Sequence, residues 1–157
     1  MPDTVSHFLH GYFIYGLKGG LYATLPDLLS FGRLFIKRIP EKIKYFKEGK
    51  YNKLFEKPKL IILDDTDKLL YNLFHSLIIW FIIYLFKRDK EFICIFLAII
   101  IDVLFHRKSY LPTPFLYPIS DYKLDGIHWN SKKGWILSFI VTYIIYKYSY
   151  VFRFMDN

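Results

Sequence analysis

The chain has 157 residues, of which 54% are hydrophobic and 21% aromatic, and it carries a formal net charge of +8. That length fits one domain spanning 1–157, and the apolar content excludes disorder of the whole chain, because disordered chains lack the residues that drive collapse. A lone cysteine, Cys94, excludes an internal disulfide scaffold.

In chain order, the segment from Val5 to Phe35 comes first: an apolar stretch, Gly19-Gly20, then a second apolar stretch through Pro26. It reads as a re-entrant or interfacial helical hairpin. No basic region opens it and no small-residue cleavage site follows the glycines, so no cleavable signal peptide is expected. From Lys37 to Lys59 nine basic residues face Glu41, Glu48 and Glu56, which puts +6 of the +8 in this segment. Tyr45, Phe46, Tyr51 and Phe55 interleave with the lysines. Such a segment suits a nucleic-acid surface or anionic lipid head groups, and the apolar runs that follow favour lipid over nucleic acid.

Those runs are Leu69 to Phe86 (18 residues), Phe92 to Phe105 (14 residues) and Trp135 to Phe152 (18 residues). As helices they reach about 20 to 27 Å, a little short of the ~30 Å hydrocarbon core of a bilayer. Aromatic residues and lysines at their ends favour thin membrane spans over a buried soluble bundle. The expectation is an all-α fold: a small integral membrane bundle of three spanning helices plus the N-terminal hairpin. With that topology 14 basic residues lie on the side of Lys37 to Lys59 and 4 on the other. The positive-inside rule then places the first side in the cytoplasm, with the protein in the inner or cytoplasmic membrane.

Ionisable residues inside apolar runs are costly and are functional candidates by default. His75 interrupts the first run, while Asp102 and His106 end the second, four residues apart and so on one helix face. The antiparallel pairing of the two runs brings all three residues toward one mouth. Either a divalent-metal site, with imidazole favouring zinc or manganese, or a hydrogen-bonded Asp-His pair without metal satisfies them. His7, His10 and Asp27 are further polar residues that could complete a ligand set. Asp64, Asp65 and Asp67 precede the first run, where Thr66 or Asp67 is the expected N-cap. Asp121, Asp125 and His128 fall in a turn-rich loop, where carboxylates are usually solvated.

Ser6-His7, Leu25-Pro26-Asp27, Phe74-His75-Ser76, Asp102 and the stretch Pro112-Thr113-Pro114-Phe115-Leu116-Tyr117-Pro118-Ile119-Ser120-Asp121 together form a pattern. It resembles the LexA-binding, inner-membrane-associated, YdjM-like family of metal-dependent hydrolases, which is similar in ligand pattern to zinc-dependent phospholipases C and single-strand-specific zinc nucleases. The likeness runs from about residue 5 to 130 in short pieces, the proline-rich loop being the most specific. It implies metal ligands at His7, Asp27, His75 and Asp102. The sequence departs from the family's pattern at Leu70 and Ala98, where the family has histidines. His106, one turn beyond Asp102, is placed to supply an imidazole from the other direction.

The expected function is a membrane-bound, metal-dependent hydrolase of phosphoester or lipid-like substrates at the cytoplasmic face. Zinc is the expected ion, with manganese as the alternative, and Asp102 or Asp27 would orient or deprotonate the nucleophile. A different class of function fits the same residues: a non-enzymatic membrane protein that binds a partner or anionic lipid through its basic segment.

Overall fold

The computed structural model describes residues 2–54, 63–106, 112–128 and 131–154. Lys57, Lys59, Arg107 and Lys108 lie outside the described residues. Among the described residues the regular structure is entirely helical: α1 (Pro2–Lys47), α2 (Tyr51–Leu54), α3 (Asp65–Phe74), α4 (Leu77–Lys87), α5 (Phe92–Phe105) and α6 (Lys132–Phe154). The expected all-α class holds.

The N-terminal hairpin is present, but its turn is not at Gly19-Gly20. Helical geometry breaks at Tyr15 and at Gly16, whose φ of 63° and ψ of −150° suit only a residue without a Cβ. The chain reverses there, dividing α1 into a short arm and a long arm. Gly19 has a different task. It lies so near Gly11 that a Cβ added to Gly11 would sit 2.1 Å from the Gly19 carbonyl oxygen, so the two arms touch backbone to backbone.

The run expected to be one span, Leu69 to Phe86, is two helices. α3 ends at His75, and Ser76 opens α4 as its N-cap, its extended backbone (φ −94°, ψ 123°) stopping the helical ladder while its hydroxyl accepts from Ile79 N at 3.3 Å. The proline-rich loop satisfies the groups this break frees. Leu77 N donates to Phe115 O at 3.0 Å, and the Ser76 hydroxyl donates to the Tyr117 carbonyl. α3 and α4 meet at 57°. Among the described residues no single helix is long and apolar enough to cross a membrane; α3 and α4 pass that test only as this bent pair.

At the start of α3, the N-cap is Asp64 rather than Thr66 or Asp67. Its carboxylate accepts from Asp67 N at 2.8 Å, and Asp67 answers from the third helical position. Lys37 and Arg33 on α1 pair with both acids, which ties α3 to the long arm. The Lys37 ammonium holds the Asp64 carboxyl well below the usual carboxylate range.

α5, which packs on α1 and α4, is rich in buried residues, and the second expected run matches it end to end. Ile95 and Ile99 are fully enclosed, with Trp80 of α4 and Phe92 beside them, while Cys94 and Ala98 pack on Ile14 and Ala23 of the hairpin. Burying each large side chain of this set contributes about 1.5–3 kcal/mol. α6 lies against α1, where His10 Nε2 meets Thr142 Oγ1 at 2.8 Å and Phe13 meets Tyr146 edge to face. Its opposite face, with Trp135, Ile136, Phe139, Ile140 and Tyr143, is exposed.

Candidate metal centre

The hairpin, the α3–α4 break and the end of α5 meet at one end of the bundle. The short arm brings His7 there and the long arm brings Asp27. The break brings His75, and the last turn of α5 brings Asp102 with His106 just beyond. Each arrives for a local reason already described: the Gly16 reversal sets the arms antiparallel, and the Ser76 cap stops α3 at His75.

Asp27, His75 and Asp102 are buried, and one ligand atom from each lies within 4.8 Å of the other two. His75 Nε2 is 3.4 Å from Asp27 Oδ1 and 3.6 Å from Asp102 Oδ2. Ligand atoms on a tetrahedral ion with bonds of 2.0–2.1 Å stand about 3.3–3.4 Å apart, so this cage has the size of a divalent site. Both distances are longer than the usual hydrogen bond of about 2.7–3.2 Å. Accordingly His75 Nε2 and Asp102 Oδ2 are enclosed and make no hydrogen bond. Buried polar atoms left in that condition need an explanation, and an ion is one that suits both.

His7 Nε2 lies 2.9 Å from the other Asp102 oxygen, Oδ1, and His106 Nε2 lies 3.7 Å from it. His7 and His106 thus adjoin the three-residue group through Asp102. His106 is the least buried, its side chain 12% exposed, which puts it at the mouth. Among the described residues, the ion pairs of Asp27 and Asp102 are all with histidines.

The residues around the cage hold it in shape. Thr4 Oγ1 donates to Asp27 Oδ2 at 2.5 Å, leaving Oδ1 toward the centre. Ser30 Oγ is 3.0 Å from His75 Nδ1, and the Tyr71 carbonyl is 3.3 Å from the same nitrogen. The Tyr71 ring lies over the His75 ring, centroids 4.2 Å apart. Thr113, in the proline-rich loop, places its hydroxyl 3.2 Å from His106 Nδ1. None of Thr4, Ser30 or Tyr71 was an expected site residue, and only Thr113, within the proline-rich stretch, fell in a motif.

Other polar residues of the sequence lie elsewhere. His10 turns to Thr142 on α6. Asp121 and Asp125 are exposed in the loop, and His128 lies beyond them. Ala98, where the resembling family has a histidine, belongs to the apolar core, and half-buried Leu70 offers no ligand atom. The imidazoles near Asp102 come from His7, His75 and His106.

No family model, no curated protein and no solved structure matches this chain. The functional reading therefore rests on the residues and their geometry.

Proposed function

We propose that the chain is a metal-dependent hydrolase whose centre is Asp27, His75 and Asp102, with His7 and His106 completing the ligand set around Asp102. The observation that carries this reading is the buried cage of acceptor atoms, spaced as ligands of one small divalent ion. Two carboxylates and an imidazole favour zinc, with manganese as the alternative. A bound divalent ion supplies Lewis acidity, acidifying water and polarising a phosphoryl or ester oxygen.

The protein's own groups divide the remaining work. Thr4 holds one oxygen of Asp27, which leaves the other turned to the centre, where it would hold the ion and orient an attacking water. Asp102 anchors two histidines and faces His75 with its second oxygen. His106, at the mouth, meets an entering substrate before any other residue of the cluster.

We place the substrate among phosphoesters or lipid-like amphiphiles at the cytoplasmic face of the inner membrane. The flanks of the bundle support that location. Leu17, Leu21 and Leu28 on α1, Phe81 and Leu85 on α4, Ile100 and Leu104 on α5, and Phe139 and Ile140 on α6 are all exposed, whereas soluble monomers rarely leave so much apolar surface in water. On the last turns of α1, exposed Ile36, Ile39, Ile43 and Phe46 form one stripe with Lys42 and Lys47 at its edges and Glu41 and Glu48 opposite. Anionic head groups are the partners that suit such a surface.

The test is hydrolysis of a phosphodiester and of a phospholipid by detergent-purified protein, with zinc or manganese restored after chelation. Activity that returns with the ion and is absent in Asp102→Asn supports the proposal; activity indifferent to both would contradict it.

A further inference from the structure

The cage needs more than three ligands in the right place; the nitrogen of His75 that faces it must carry a lone pair rather than a proton. Neutral imidazole has one N–H, and the hydrogen bond made by the other nitrogen decides where it sits. Without an ion, the two carboxylates of the cage favour a proton on the facing nitrogen, so a group outside the cage must hold the proton on the other one.

We infer that Ser30 is a positioning residue that locks His75 in the tautomer with its proton on Nδ1, an inference that rests on the metal-centre reading above. The Ser30 hydroxyl has one proton, and it is committed: Oγ donates to the Pro26 carbonyl at 2.6 Å. While that bond holds, the same oxygen faces His75, 3.0 Å away, as an acceptor. The second neighbour of Nδ1 is the Tyr71 carbonyl, also an acceptor. Two acceptors on one nitrogen require an N–H there. In the opposite tautomer Ser30 must turn its proton away from the Pro26 carbonyl to reach Nδ1, and the Tyr71 carbonyl still faces a bare nitrogen, in a place where His75 is wholly enclosed.

The consequence falls on the other nitrogen. With Nδ1 protonated, Nε2 points a lone pair at Asp27 Oδ1 and Asp102 Oδ2, and three acceptors converge with no donor among them. That arrangement is repulsive alone and becomes favourable around a cation. Ser30 is one turn from Asp27 on the same helix, so a single segment of α1 supplies both a ligand and the group that orients its neighbour. Partners of this kind alter metal affinity by about 10- to 100-fold when removed from zinc proteins.

The experiment has two arms on the full chain. The first records the side-chain ¹⁵N shifts of His75 in zinc-free protein, which distinguish the tautomers without any metal. Wild type is expected to show the Nδ1–H form, and Ser30→Ala a mixture in which Nε2–H is populated; an Nε2–H form in wild type overturns the inference. The second arm measures zinc affinity by competition with a chelator. Ser30→Ala is expected to bind about 10- to 100-fold more weakly, with Ser30→Thr, which keeps the hydroxyl, recovering most of the loss. Ser30→Ala that binds as tightly as a zinc-binding wild type overturns the inference. A wild type that takes up no zinc instead overturns the metal-centre reading, and the ¹⁵N arm still decides the role of Ser30.

Discussion

The two ends of the α1–α5 contact each gather ionisable side chains, and they resolve the charge in opposite ways. At the hairpin end, Lys18 bridges Asp89 at 3.1 Å and Glu91 at 2.9 Å, and the Tyr22 hydroxyl donates to Asp89 at 2.5 Å. The cation is built in. One Glu91 oxygen stays without a hydrogen bond, and Lys18 pairs with the other. At the other end Asp27 and Asp102 have only histidines as ion-pair partners among the described residues, and the facing nitrogen of His75 is an acceptor. A closed cluster joins the helices; in the open one no Lys or Arg among the described residues pairs with the two carboxylates.

The largest effect expected from this contrast is on metal content. His75→Ala combined with Asp102→Ala removes two of the three cage atoms, and bound zinc measured by elemental analysis should fall to background. Lys18→Met, at the closed end, should leave it unchanged. A double variant that retains wild-type zinc would erase the distinction between the two ends.

Next comes the hairpin that brings His7 and Asp27 together. A Cβ at Gly19 would stand 2.3 Å from the Gly11 carbonyl oxygen, and the obstacle is backbone, so the arms must part. Gly19→Ala should cost about 1–3 kcal/mol of stability, the usual cost of overpacking. It should also weaken zinc binding, because Thr4 and His7 ride on the arm that moves. Thermal melts with and without zinc separate the two consequences.

A smaller effect is expected on the melting temperature of zinc-free protein. Asp102→Asn removes the charge that His7 and His106 face, and should lower the melting temperature by roughly 2–4 °C, corresponding to about 1 kcal/mol for a chain of this size. Glu91→Gln, which removes half of the Lys18 bridge, should lower it.

The smallest is a pH effect confined to the closed end. Hydrogen bonds with Glu91, the Tyr22 hydroxyl and the Lys18 ammonium hold the Asp89 carboxyl well below the usual carboxylate range. A carboxyl depressed in the folded state contributes stability that is complete above its unfolded value of about 3.9 and is lost as pH falls through the lower folded value. Asp89→Asn should therefore melt slightly earlier at neutral pH and lose less on acidification, as followed by melts from about pH 5 to pH 2.

What was readable in the sequence follows from what leaves a pattern there. The second apolar run, Phe92 to Phe105, is α5 residue for residue, since a charged loop and a histidine bound an unbroken stretch. His7, Asp27, His75, Asp102 and His106 stood out because ionisable groups are conspicuous against apolar runs, and the antiparallel pairing of α4 and α5 was enough to converge three of them. The break at Ser76 was hidden, because one serine in an apolar run is common and becomes a cap only when the proline-rich loop arrives to bond the freed groups. The turn at Gly16 is not legible, since a glycine needed for close packing, as at Gly19, and one needed for a positive φ look alike in sequence. Thr4, Ser30 and Tyr71 act through a hydroxyl or a carbonyl, with no charge or periodicity to mark them. Their roles appear only with the distances.

The central claim is that the open cluster is a site for a divalent ion, and a calorimetric zinc titration of chelator-stripped, detergent-purified protein tests it most directly. Saturable binding in wild type that disappears in Asp102→Asn and persists in Glu91→Gln is the predicted result. Absence of saturable binding in wild type, or binding that survives Asp102→Asn unchanged, would contradict the account.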